Sequence, residues 1–167
     1  ICFLDPFQGT VMANFAYETG LRKAAVLTEA GDDYSVGMGH YFSEAFKKLG
    51  GSVVEAQFQS GETDFSATMA SLVSAGVDVL FAPSSIESAP LIIKQARNAG
   101  LTGPIMAGDT WENETIITNA GDAAYEVYLS AFFDPNDTSA AAKEFVEGYT
   151  EWLKADNTRL TNNGGST

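Results

Sequence analysis

Few residues in this sequence are equipped for covalent chemistry. There is one histidine, His40, and one cysteine, Cys2, far apart in the chain. A Ser or Cys nucleophile needs a base within hydrogen-bond reach. His40 falls inside a helical pattern between Gly39 and Tyr41, where a surface position is expected, and no Gly-x-Ser-x-Gly turn occurs. One His and one Cys do not make a zinc site, and Asp134-Pro135-Asn136-Asp137 lacks the rest of a calcium loop. Gly37-Met38-Gly39 is half of a dinucleotide fingerprint, but Phe42 stands where the third glycine belongs and a helix where the turn should be. Carboxylates are plentiful, yet no spacing pairs two of them. No catalysis, cofactor or metal is expected. The remaining candidates are picked out by position alone, in three strand-to-helix loops: the one around Tyr34; Ser84, Ser85 and Ile86; and the one that holds Asp109 and Trp111.

The elements that must position them centre on Gly76 to Glu87. Val77 to Ala82 is an apolar run with one charge, bounded by Gly76 and Pro83, as suits a central parallel strand buried on both faces. Ser84-x-x-Glu87 has the form of a capping box. Ala89, Ile92, Ile93, Ala96 and Ala99 follow at helical spacing until Gly100. Upstream, Asp5 as N-cap, Pro6 at N1 and Gln8 at N3 open a first helix with Val11, Met12 and Phe15 as its stripe. Ala24–Leu27 is the first strand, 29–34 a polar loop, and 36–49 the second helix. Val53–Phe58 alternates, as a strand nearer an edge does. Asp64 caps a third helix with Phe65, Met69 and Leu72 inward. Pro104–Ala107 is the fourth strand, followed by the loop Gly108-Asp109-Thr110-Trp111 and a brief helix over 112–119. Val127, Leu129, Ala131 and Phe133 mark a fifth strand, residues 134–137 a turn, and 140–153 a last helix anchored by Phe145, Tyr149 and Trp152. Residues 155–167 read as a loose tail.

Strands alternating with helices predict an α/β fold with a mostly parallel sheet and right-handed crossovers. The simplest arrangement is a doubly wound, flavodoxin-like sheet of five strands in the order 2-1-3-4-5. Its ligand crevice lies at the carboxyl ends of the strands, lined by the loops around Tyr34 and Ser84–Ile86, with the Asp109 loop on the next strand along. A receiver domain shares this architecture, but Ala82-Pro83 stand where its phosphoacceptor should be, and no Lys ends the fifth strand.

The chain has 167 residues, 45% apolar and 19% charged, an ordinary globular composition. Twenty-two acidic against nine basic residues leave a formal charge of −13, which argues against nucleic acid and anionic membrane surfaces as partners. A single cysteine leaves the redox compartment open.

Six segments carry a family resemblance when taken in order: Asp5-Pro-Phe-Gln-Gly-Thr, Asp33-Tyr-Ser-Val-Gly, Phe46-Lys-Lys-Leu-Gly-Gly-Ser-Val, Gly61-Glu-Thr-Asp-Phe-Ser, Asp78-Val-Leu-Phe-Ala-Pro and Gln95-Ala-Arg-Asn-Ala-Gly-Leu. Together they resemble the type I solute-binding proteins of ABC transporters, in particular the branched-chain amino acid (Leu/Ile/Val) binding family, over residues 1–154. The resemblance implies the second α/β lobe of a two-lobed receptor, its first lobe missing. The start at Leu4 and the end after Asp156 then read as hinge crossovers. It implies a small amino-acid-like solute, an ABC permease as membrane partner, and a periplasmic or extracellular location. In this family the missing lobe holds the ligand's carboxylate. The lobe present supplies an acid to the ammonium after the fourth strand and an aromatic after the first, positions matched by Asp109 and Tyr34. Aromatics are common after the third strand, where this chain has Ser84-Ser85-Ile86, so side-chain preference stays open, as does Trp111 between ligand wall and packing.

Two other readings stand beside the solute-binding one. The first is an enzyme on a flavodoxin-like sheet. The second is an excised or engineered lobe that folds without binding ligand and pairs with itself through an uncovered cleft face and Ile1-Cys2-Phe3-Leu4, giving a homodimer.

Overall fold

The computed structural model describes residues 4–132, 134 and 137–155. Cys2, Phe133, Pro135, Asn136 and residues 156–167 of the expected tail lie outside them. The chain divides into two units, residues 1–131 and 132–167.

The first unit runs α1 (Asp5–Glu18), β1 (Lys23–Ala30), α2 (Asp33–Lys48), β2 (Ser52–Gln59), α3 (Ser66–Ser74), β3 (Val79–Phe81), α4 (Ala89–Asn98), β4 (Ile105–Ala107), α5 (Glu114–Ala120) and β5 (Val127–Leu129). Its sheet has the expected order, 2-1-3-4-5, and every pairing is parallel. β1 sits inside the sheet, with Ala24 opposite Val53 on one side and Val79 on the other.

Strand alternation divides the core between the two faces. Leu27, Leu80 and Ile105 point into one layer with Phe58, Phe65, Met69, Ile92 and Ile93. Val26, Phe81 and Met106 point into the other with Met12, Met38, Phe42 and Phe46. In that second layer the Phe42 ring stacks on Phe81, centroids 4.2 Å apart. Burying each such side chain contributes about 1.5–3 kcal/mol, and it is this double-sided burial that makes the short apolar runs strands.

The one charge in the central run has a structural role. Asp78 precedes β3, and its carboxylate accepts from the backbone amides of Arg22 at 2.9 Å and Lys23 at 3.0 Å, tying the amino ends of β1 and β3 together.

Several local expectations are corrected. α1 begins at Asp5 itself, with Leu4 in the N-cap position and Pro6 one residue further in. Its buried face is Gln8, Gly9, Met12, Ala13 and Ala16, while Val11 and Phe15 are exposed. Gly9 explains the rotation: a Cβ there would lie 2.9 Å from the Met38 carbonyl, so small residues bring α1 close to α2. Val11 and Phe15 instead line an apolar groove of about 320 Å³ with Tyr128 and Leu129. β1 and β2 are longer than their apolar runs. The Ser84 capping box does not form: α4 starts at Ala89, and the Ser84 hydroxyl accepts from Ser88 Oγ at 3.0 Å. After β4 a single tight turn over Asp109–Trp111 precedes α5, which is capped by Asn113 accepting from the Thr115 amide at 2.8 Å.

The second unit contains α6 (Ala140–Ala155). Phe145, Tyr149 and Trp152, read as buried anchors, are instead roughly half exposed and stack in sequence along the helix, centroids 6.0 and 5.9 Å apart. Their spacing specifies an apolar stripe but not how deeply it is covered. Among the described residues no helix is long and apolar enough to cross a membrane.

Candidate functional site

Three strand-to-helix connections meet at the carboxyl end of the sheet. In the first, β1 ends at Ala30, Gly31 turns the chain at φ +84°, and Asp32 caps α2 by accepting from the Tyr34 amide at 3.2 Å. This cap places Tyr34 in the first turn of α2. In the third, β4 ends at Ala107, and Gly108 leads into the turn that carries Asp109. The Tyr34 hydroxyl donates to Asp109 Oδ1 at 2.8 Å, so residues 75 apart in sequence share a hydrogen bond across the crevice. Both are half-buried. Burial first, and the bonded carboxylate second, push the Tyr34 phenol well above its ordinary pKa, so it stays a donor throughout the physiological range.

The second connection lies between them. Ser84 is fully buried, and its backbone carbonyl accepts from Thr110 Oγ1 at 3.1 Å and from the Trp111 indole nitrogen at 3.0 Å. Trp111 is 1% exposed and packs in the core. In this conformation neither residue presents a surface to a ligand. They join the second loop to the third. Ser85 and Ile86 are half-buried, and Ile86 packs against the core beneath. His40, expected on the surface, is exposed and meets Tyr41 edge to face.

A residue expected in a polar loop belongs to this rim. Glu29 is 5% exposed and is the penultimate residue of β1. Its carboxylate accepts from the Ser85 amide at 3.1 Å. Burial pushes the carboxyl up, but bonds from the Ser85 hydroxyl, the Ser85 amide and Ser60 outweigh it and hold the group below the ordinary carboxylate range. Thr28-Glu29 directly after Ala24–Leu27 and just before Gly31 is the signal that the strand continues through two polar residues.

The charge around this rim has one sign. The connections 31–32, 60–65, 82–88 and 108–113 contain Asp32, Glu62, Asp64, Glu87, Asp109 and Glu112, and no Lys, Arg or His. The cations of the unit lie away from these connections: Arg22 and Lys23 stand at the start of β1, Lys94 midway along α4, and Lys47, Lys48 and Arg97 in the last turns of α2 and α4. Such a rim attracts a positively charged group and offers an anionic one no cationic side chain.

Comparison with known proteins agrees with this architecture. Residues 5–164 match the family described as periplasmic binding protein. Leu/Ile/Val-binding protein homolog 1 of Brucella abortus is 28% identical over 153 residues, a match covering 90% of this chain and 40% of that protein. The leucine-binding protein LivK of Thermotoga maritima superposes with a TM-score of 0.83 at 37% identity, over 92% of this chain and 45% of that one. The branched-chain amino acid transporter substrate-binding protein LivJ of Streptococcus pneumoniae, solved in complex with isoleucine, gives 0.77 at 30% identity, over 91% and 44%. The chain thus spans less than half the length of these relatives. By the match over nearly all of its length, with the five-stranded parallel sheet to support it, this chain belongs to the periplasmic binding protein family.

Proposed function

We propose that this chain is the ammonium-binding lobe of a two-lobed receptor for a small amino acid. The observation that carries the reading is the Tyr34–Asp109 pair on a rim whose loops hold carboxylates and no cation. A carboxylate already oriented by a phenol is a natural acceptor for an ammonium, and the tyrosine face adds a cation–π attraction. A zwitterion also needs a partner for its own carboxylate, which the other, first lobe supplies. The relatives' names, with leucine, isoleucine and valine among their ligands, support an aliphatic amino acid. In this reading residues 1–154 form the lobe, Ser85 and Ile86 border the ligand's side chain, and Ser84 and Trp111 hold the loops in place. The whole receptor works outside the cytoplasmic membrane and delivers its ligand to an ABC permease. It performs no chemistry on the ligand.

The test is a titration of the chain with L-leucine, followed by amide chemical shifts. Half the contacts of a receptor that binds near 1 μM correspond to about −4 kcal/mol, roughly millimolar affinity. Saturable shifts at Asp109, Thr110 and Ser85 in that range are expected. Linear shifts scattered over the surface would contradict the reading.

A further inference from the structure

The hydrogen bonds of the rim form a closed circuit. The Ser85 amide donates to the Glu29 carboxylate at 3.1 Å. The carbonyl of the adjacent Ser84 accepts from Thr110 Oγ1 at 3.1 Å and the Trp111 indole at 3.0 Å. The residue beside Thr110, Asp109, accepts from Tyr34 Oη at 2.8 Å. Beside Tyr34, the Ser35 hydroxyl accepts from the Glu29 backbone amide at 2.8 Å, which returns the circuit to its start. Four links therefore join the ends of β1, β3 and β4 to the first turn of α2.

Glu29 appears in two of the four links, by amide and by carboxylate. Ser35 is fully buried, so its link is sheltered from water. Nothing in the backbone ladders replaces the Glu29–Ser85 link: β1 pairs with β3 only as far as Val26 opposite Phe81, three residues short of Glu29. Beyond that point, this side-chain bond holds the end of β1 to the loop after β3.

We infer that Glu29 is a positioning residue of the site, whose carboxylate holds the Ser84–Ser85 loop in register and, through Thr110 and Trp111, sets where Asp109 and Tyr34 stand. A carboxylate suits the task because it accepts from the Ser85 amide, the Ser85 hydroxyl and Ser60 together, and none of these groups titrates in the working range. The functional meaning of the inference rests on the amino-acid-binding reading above. The circuit itself can be tested without any ligand.

The experiment compares wild type, Glu29→Ala and Glu29→Gln by hydrogen exchange and amide shifts. In Glu29→Ala the Trp111 indole N–H should exchange about tenfold faster, the loss expected for one hydrogen bond, with Leu80 and Ile105 amides still protected. Glu29→Gln keeps an acceptor and should retain most of the Trp111 protection. On acidification the Ser85 amide shift should titrate in wild type and stay flat in Glu29→Gln, which a general loss of stability would not produce. An unchanged Trp111 exchange rate in Glu29→Ala would overturn the inference; should that variant not fold, a Ser85 titration persisting in Glu29→Gln does so instead. L-leucine separates the two claims. If wild type binds and Glu29→Ala binds equally well, positioning is refuted. If wild type does not bind, the amino-acid reading fails while the exchange data still decide the circuit.

Discussion

The backbone of Gly108 lies directly beneath the Tyr34 hydroxyl: a Cβ at position 108 would fall 2.0 Å from that oxygen and 3.0 Å from the Met38 methyl. Gly108 has extended backbone at φ −90° and ψ −173°, which any residue adopts, so the demand for glycine is purely steric. The close approach lets Tyr34 reach across to Asp109.

Gly108→Ala should therefore push the phenol aside. The expected stability cost is about 1–3 kcal/mol, the range for overpacking a filled site. The Tyr34–Asp109 bond should break, bringing the phenol's titration back towards its ordinary value. Urea denaturation and the Tyr34 ring signals check this; an unmoved ring with unchanged stability would show that the loop yields instead.

Glu29 makes stability depend on acid. Its carboxyl sits below the ordinary range in the folded chain because Ser85 and Ser60 bonds outweigh its burial. A group depressed by folding contributes fully above its unfolded pKa, about 4.3–4.5, and loses that contribution as pH falls through the folded value. Between about pH 6 and about pH 3 wild type should lose more stability than Glu29→Gln. Urea midpoints over that window measure the difference, and parallel curves would remove Glu29 from the account.

In the core, Phe42 stacks on Phe81 at 4.2 Å and on Phe46 at 5.5 Å, all three fully buried. Phe42→Ala should cost about 3–5 kcal/mol. Because this layer lies on the α1–α2 face, the variant should spare Trp111 exchange if it still folds. Accelerated Trp111 exchange at low denaturant would mean that the two layers do not behave independently.

Much of the fold was legible because strands buried on both faces leave near-continuous apolar runs such as Val79–Phe81, closed by Gly76 and Pro83. Tyr34 and Asp109 were legible as candidates because each follows a strand whose end the pattern marks. The rotation of α1 was not, since its burial depends on how closely Gly9 approaches α2, a property of the pair of helices. The Ser84 capping box failed for a related reason: the hydroxyl had a competing partner in Ser88, four residues on. Glu29 escaped because polarity normally marks a loop, and its burial is permitted by donors from Ser85 and Ser60, distant in sequence.

The sharpest measurement separates the two charged halves of the ligand. Isoamylamine is leucine without its carboxylate, and isocaproate is leucine without its ammonium. Titrated against this chain, isoamylamine should shift the Asp109 and Thr110 amides saturably, roughly as leucine does, while isocaproate should not. Asp109→Asn keeps the shape but removes the charge, and should abolish the isoamylamine response at a cost on the order of 1.5–3 kcal/mol of binding. Binding of isocaproate in preference to isoamylamine, or an isoamylamine response undiminished in Asp109→Asn, would contradict the assignment of this rim to the ammonium.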